Sequence, residues 1–134
     1  AEARAIQGGA TKFLIPGEPQ LLVDLEAKMK EVLSNRMEIF RSAPFFLELT
    51  PKGIDKAQSL QRLLTHLGMK REELMAFGDG FNDLSMLEYA GIGIAMGNAV
   101  DEVKAIADFI TISNDEDGIA IALEKLLYSN DKQE

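Results

Sequence analysis

Two carboxylates four residues apart, Asp79 and Asp83, sit with Gly78, Gly80 and Asn82 directly after the apolar run Leu74-Met75-Ala76-Phe77. An apolar run closing on a glycine-flanked Asp predicts a buried parallel strand that feeds a loop and then a helix. Asp79 then falls at the carboxyl end of the strand and Asp83 in the first turn of the helix, with Asn82 as its N-cap. Ligands of open α/β sheets gather at that edge. Two carboxylates there, with a helix N-terminus facing the same space, suit a hard cation such as Mg²⁺ and a bound phosphate. Asp, Asn and Gly are also ordinary turn residues, so spacing alone equally allows a solvated turn.

Lys56 is the next candidate. It falls in the first turn of a helix expected to start at Asp55, where the dipole favours anions. An ammonium is tolerable there if it faces carboxylates or a phosphate; otherwise it is a solvated surface charge.

The elements that must position these groups alternate regularly. Asp55 and Gln58 have capping-box spacing, and Ala57, Leu60, Leu64 and Leu67 form a helical stripe ended by Gly68. The strand Leu74–Phe77 comes next, followed by a helix carrying Leu84, Leu87 and Ala90 on one face. Ile92–Met96 reads as a strand, and a helix from Ala99 turns Val100, Val103, Ile106 and Ala107 inward. A strand over Phe109–Ile112 and a helix over Ile119–Leu127 complete the run. Strands alternating with helices predict a parallel sheet covered on both faces. Upstream, Thr11–Ile15, a helix over Gln20–Leu33, and strands Glu38–Ser42 and Phe45–Leu49 make a βαββ-like unit. Ala1–Ala10 reads as loop and Ser129–Glu134 as a polar tail.

Composition bounds the function. At 134 residues, 46% hydrophobic and 27% charged, the chain is one ordinary globular domain in size. A net charge of −8 argues against nucleic acid or an anionic membrane surface as partner. A phosphate ester must therefore be held locally, by a metal and a lysine, against the overall field. The absence of cysteine excludes disulfides and thiolate metal sites and agrees with a cytoplasmic location. No apolar stretch reaches the length of a membrane span.

The string Gly78-Asp79-Gly80-Phe81-Asn82-Asp83 resembles the fourth motif of the haloacid dehalogenase superfamily of phosphohydrolases. The likeness continues through Leu84-Ser85-Met86-Leu87, Ala90-Gly91, Gly93-Ile94-Ala95-Met96-Gly97-Asn98-Ala99 and Ala107-Asp108. Upstream it takes in Pro51-Lys52-Gly53-Ile54-Asp55-Lys56. Together these are similar to the C-terminal half of a Cof-type phosphatase. The resemblance implies a Rossmann-like α/β core half over 51–134, preceded over 1–50 by the tail of an α/β cap domain. It implies an Mg²⁺-dependent phosphomonoester hydrolase acting on a phosphorylated small molecule such as a sugar phosphate, nucleotide or cofactor phosphate. By the same resemblance Asp79 and Asp83 hold the metal, the second directly or through water. Lys56 contacts the nucleophile and the transferring phosphoryl group, and Asn82 faces the phosphate.

Superfamily phosphatases attack phosphorus with an Asp in the pattern Asp-x-Asp-Gly-Thr, form an aspartyl-phosphate and use the second Asp as general acid and base. No such segment precedes Lys56. The one Asp-x-Asp-Gly, Asp115-Glu116-Asp117-Gly118, comes too late and continues with Ile119. The expectation is a C-terminal portion of a longer enzyme, inactive alone. The strand ending at Asp79 would then have a bare edge open to self-association.

Readings from other classes are a non-catalytic metal-, phosphate- or partner-binding module and a calcium loop. Ser113, Asp115, Asp117, Gly118 and Glu124 stand at calcium-loop spacing, but Ser replaces the first Asp and a strand precedes them where a helix is needed. A polar turn with Asp117 capping the last helix accounts for the same residues.

Overall fold

A computed structural model of the chain describes residues 10–128; the two predicted terminal tails therefore lie outside the described residues, apart from Ala10. The chain folds as two compact units, Ala1–Asp55 and Lys56–Glu134.

In the first unit, β1 (Phe13–Pro16) is followed by α1 (Pro19–Leu33), β2 (Met37–Ala43) and β3 (Phe46–Pro51). The sheet is antiparallel in the order β1-β3-β2. Pro19 opens α1 at a position where its missing N–H costs nothing. Leu22 turns onto the sheet and is buried with Ile39, Leu47 and Leu49. Alternation along β3 sends Leu47 and Leu49 to that core. The chain leaving β3 is tied down: Thr50 Oγ1 donates to the Ile54 carbonyl at 2.6 Å and the Glu38 carboxylate accepts the Gly53 N–H at 3.1 Å.

The second unit runs α2 (Lys56–Leu67), β4 (Met75–Gly78), α3 (Leu84–Tyr89), β5 (Ile92–Ala95), α4 (Asp101–Ile106), β6 (Phe109–Ile110) and α5 (Gly118–Leu123). A wider turn of π type extends α5 over Glu124–Tyr128. β4, β5 and β6 form a parallel sheet in that order, the mixed α/β architecture that the alternation predicts. Leu87, Ala95, Ala99 and Val103 make its core. Among the described residues β4 pairs only with β5. No described helix is long and apolar enough to cross a membrane.

Several expected details differ. Leu67 is 57% exposed and Ile106 36% exposed, so the apolar stripes of α2 and α4 are shorter than their sequence period suggests. β6 ends at Ile110, although bonds to the chain after β5 continue beyond it, from the Thr111 N–H to the Ala95 carbonyl at 2.9 Å and from the Gly97 N–H to the Ile112 carbonyl at 3.0 Å. Asp117 stands at the start of α5 in the left-handed region, φ 58°, and its side chain caps nothing. Asn82 is not an N-cap. It lies inside a 3₁₀ turn, Phe81–Asp83, that precedes α3.

Candidate active site

β4 delivers Asp79 to the carboxyl edge of the parallel sheet. The strand end is held by the Met96 N–H on the Gly78 carbonyl at 2.9 Å and by the Val100 N–H on the Asp79 carbonyl at 3.1 Å. The chain then tightens into the 3₁₀ turn that carries Asn82 and Asp83.

Asp83 is buried, only 5% exposed, and every side of its carboxylate is used. One oxygen, Oδ2, accepts the backbone N–H groups of Asp79 at 3.0 Å and Gly80 at 3.1 Å. The other, Oδ1, forms an ion pair with Lys56 Nζ. Asp83 does not take over the cap expected of Asn82, since its side chain makes no bond to the N–H groups of α3; it reaches back instead, satisfying two backbone donors at the strand end and the start of the 3₁₀ turn. Gly78 makes this possible. A Cβ there would lie 2.5 Å from the Asp83 Cβ and 2.6 Å from Leu87 Cδ1, so any side chain would push Asp83 off the strand end.

Asp79 differs from its neighbour: it is exposed. Its Oδ2 accepts a hydrogen bond from Asn98 Nδ2 at 2.9 Å, and Asn98 Oδ1 accepts the Asn114 N–H at 3.0 Å. Among the described residues Asp79 Oδ1 has no hydrogen-bond partner. The Asn82 side chain is likewise without one among the described residues. Lys56 keeps 46% of its side chain exposed while paired with Asp83, so its ammonium has donors left for a second anion.

These four residues therefore divide into a buried brace and a set of open groups. Asp83 fixes the positions of Lys56 and of the Asp79 backbone, while Asp79, Asn82 and Lys56 retain unused polar capacity. A hard cation fits this donor set. Mg²⁺ keeps most of its waters and needs one or two carboxylates plus phosphate oxygens, and one carboxylate oxygen stands free. Among the described residues no group of three or more His, Cys, Asp or Glu converges as a full protein cage. Asp83, with both oxygens engaged, would meet such a cation through water more readily than directly.

Asn98 is the site residue that sequence reasoning did not assign a role. Its signal was position: it follows the next strand, β5, at the same sheet edge, directly after Met96 and Gly97. The calcium-loop spacing at Ser113–Glu124 resolves into a 3₁₀ turn, Asn114–Glu116, and α5, with β6 in front of it.

The chain matches the model of the haloacid dehalogenase-like hydrolases over residues 2–123. It is 45% identical over 96 residues to the 5-amino-6-(5-phospho-D-ribitylamino)uracil phosphatase YcsE of Bacillus subtilis, covering 71% of this chain and 39% of that protein. A haloacid dehalogenase-like hydrolase from Bacteroides thetaiotaomicron superposes with a TM-score of 0.72 at 50% identity, over 92% of this chain and 47% of that one. A second, from B. subtilis, gives a TM-score of 0.81 at 38% identity, over 87% and 41%. This chain belongs to the haloacid dehalogenase-like hydrolase family, as its fourth-motif residues led one to expect. It spans less than half the length of these relatives.

Proposed function

We propose that the chain is the part of an Mg²⁺-dependent phosphomonoester hydrolase that supplies the cation and lysine side of the active site. The observation carrying this reading is the linkage of Lys56, Asp83 and Asp79 at the carboxyl end of β4 in a chain of this family. Residues 1–50 then belong to an α/β cap domain and 51–134 to the core that performs the chemistry.

Asp79 would hold the cation through its free oxygen, with Asp83 behind it, in contact directly or through water. Once bound, Mg²⁺ offsets charge on the phosphoryl oxygens. Lys56 presents its remaining N–H groups to the same oxygens, and the Asn82 amide orients the phosphate. In this reaction class a carboxylate attacks phosphorus, the ester P–O bond breaks, and a general acid protonates the departing alcohol oxygen. Water then attacks the acyl phosphate, and inorganic phosphate leaves. None of the 134 residues provides the Asp-x-Asp-Gly-Thr pattern for the attacking carboxylate, so we assign that group to a segment outside this sequence. The substrate is a phosphorylated small molecule: a sugar phosphate, nucleotide or cofactor phosphate. The phosphorylated ribityl compound named for YcsE is of that chemistry.

The test is release of phosphate from a panel of such esters, with Mg²⁺ or with chelator, by the protein at its native length and by this chain alone. Mg²⁺-dependent release by the native-length protein and none by the chain is the expected pair of results. A native-length protein that releases no phosphate with Mg²⁺ overturns the proposal.

A further inference from the structure

Asn98 has no freedom to reverse its amide. The Asn114 N–H, at 3.0 Å, requires an acceptor and so takes Oδ1, which leaves the Nδ2 donor facing Asp79 Oδ2 at 2.9 Å. The loop after β6 thereby fixes which atom meets the exposed carboxylate. A cation approaching Asp79 finds one oxygen covered by the hydrogen of an N–H bond and the other free. From this we infer that Asn98 is a positioning residue that makes Asp79 a one-oxygen ligand and so sets the site's preference for Mg²⁺ over Ca²⁺. The inference rests on the reading that Asp79 binds the cation.

The physical reason lies in coordination geometry. Mg²⁺ demands a near-ideal octahedron, and the narrow bite of a carboxylate binding through both oxygens distorts it. Ca²⁺ takes more ligands at longer range and accepts that bite readily. Covering one oxygen of Asp79 therefore penalises Ca²⁺ and leaves Mg²⁺ with the arrangement it favours. Hydrogen-bond partners of metal ligands commonly tune affinity by about 10- to 100-fold.

The experiment is calorimetric titration of Mg²⁺ and of Ca²⁺ into the protein and its Asn98→Ala variant, with melting temperatures taken in chelator. Asn98→Ala should shift the ratio of Ca²⁺ to Mg²⁺ affinity towards Ca²⁺ by roughly tenfold, at the lower end of outer-shell effects. Should that variant not fold, Asn114→Pro serves in its place. It deletes the N–H that orients Asn98, and Ser113 already has the extended backbone, φ −62° and ψ 156°, that a following proline requires. A smaller shift in the same direction is expected. Equal weakening of both ions, or no change in either, overturns the role of Asn98. A wild-type protein that binds neither ion overturns the cation reading itself, and this inference with it.

Discussion

Lys56 and Asp83, 27 residues apart in sequence, form an ion pair in which the carboxylate is buried and the ammonium half exposed. The asymmetry matters. Asp83 also accepts two backbone N–H groups, so its removal and the removal of Lys56 are not equivalent perturbations.

Asp83→Ala should cost about 3 kcal/mol, because it strands the N–H groups of Asp79 and Gly80 as well as the ammonium. Lys56→Ala should cost only about 1 kcal/mol, since the exposed ammonium is screened and Asp83 keeps its backbone donors. Urea unfolding of both variants at unchanged slope checks the ordering. A Lys56 variant at least as unstable as the Asp83 variant would contradict it.

Phosphatase activity should be far more sensitive to Lys56 than stability is. Lys56→Ala leaves the turn intact but removes the donors offered to the phosphoryl group. A loss of about 100-fold or more in kcat/KM, with melting temperature lowered by only about 2–5 °C, is the expected signature of a charge acting on the transition state. Steady-state kinetics on the native-length protein measures it, and a loss confined to stability would remove Lys56 from the chemistry.

Much of this was legible in the sequence, and the parts that were not have identifiable causes. Strand and helix order in Lys56–Glu134 followed from apolar runs and periodicity, because both faces of a parallel sheet must be buried. Asp79 stands at the strand end as expected, whereas Asp83, expected in the first turn of the helix, lies in the 3₁₀ turn just ahead of it. Their difference in burial was not readable, since it depends on Gly78 letting one side chain fold back against the strand while the other points away from that contact. Asn is a common N-cap, which is why Asn82 reads as one, but the 3₁₀ turn puts the helix start one residue on, at Leu84, and no side chain caps it. The bond from Asn98 to Asp79 joins loops of two different strands, a relation that no local pattern encodes.

Asp79→Asn should leave the fold within about 0.5 kcal/mol of wild type, because Asp79 is exposed, an amide oxygen can still accept from Asn98 Nδ2, and its other bonds come from its backbone. Mg²⁺ binding should be abolished, as the neutral amide removes the charge that a hard cation requires. Calorimetric titration with Mg²⁺ reads the loss, and an unchanged affinity would sink the assignment of Asp79.

Among the described residues β4 has β5 on one side only, which leaves backbone N–H and C=O groups along its other edge. Such an edge recruits another strand. Sedimentation velocity on the 134-residue chain should therefore find concentration-dependent association. A monomer that unfolds cooperatively at every concentration would speak against an available edge.

Gly78 packs tightly against the turn that follows it. Its backbone lies so close to the turn that a Cβ would stand 2.5 Å from the Asp83 Cβ and 2.6 Å from Leu87 Cδ1. Neither neighbour can yield easily: Asp83 is held by Lys56 and two N–H groups, and Leu87 is 2% exposed in the core. Gly78→Ala should destabilise the second unit by about 2 kcal/mol, in the range for overpacking a tight interior. It should also displace Asp83, so that Mg²⁺ affinity and activity fall together although no polar group has been altered. Thermal denaturation and Mg²⁺ titration of the same sample separate the two effects. A folded Gly78→Ala protein with wild-type Mg²⁺ affinity would mean that Asp83 does not brace the cation site.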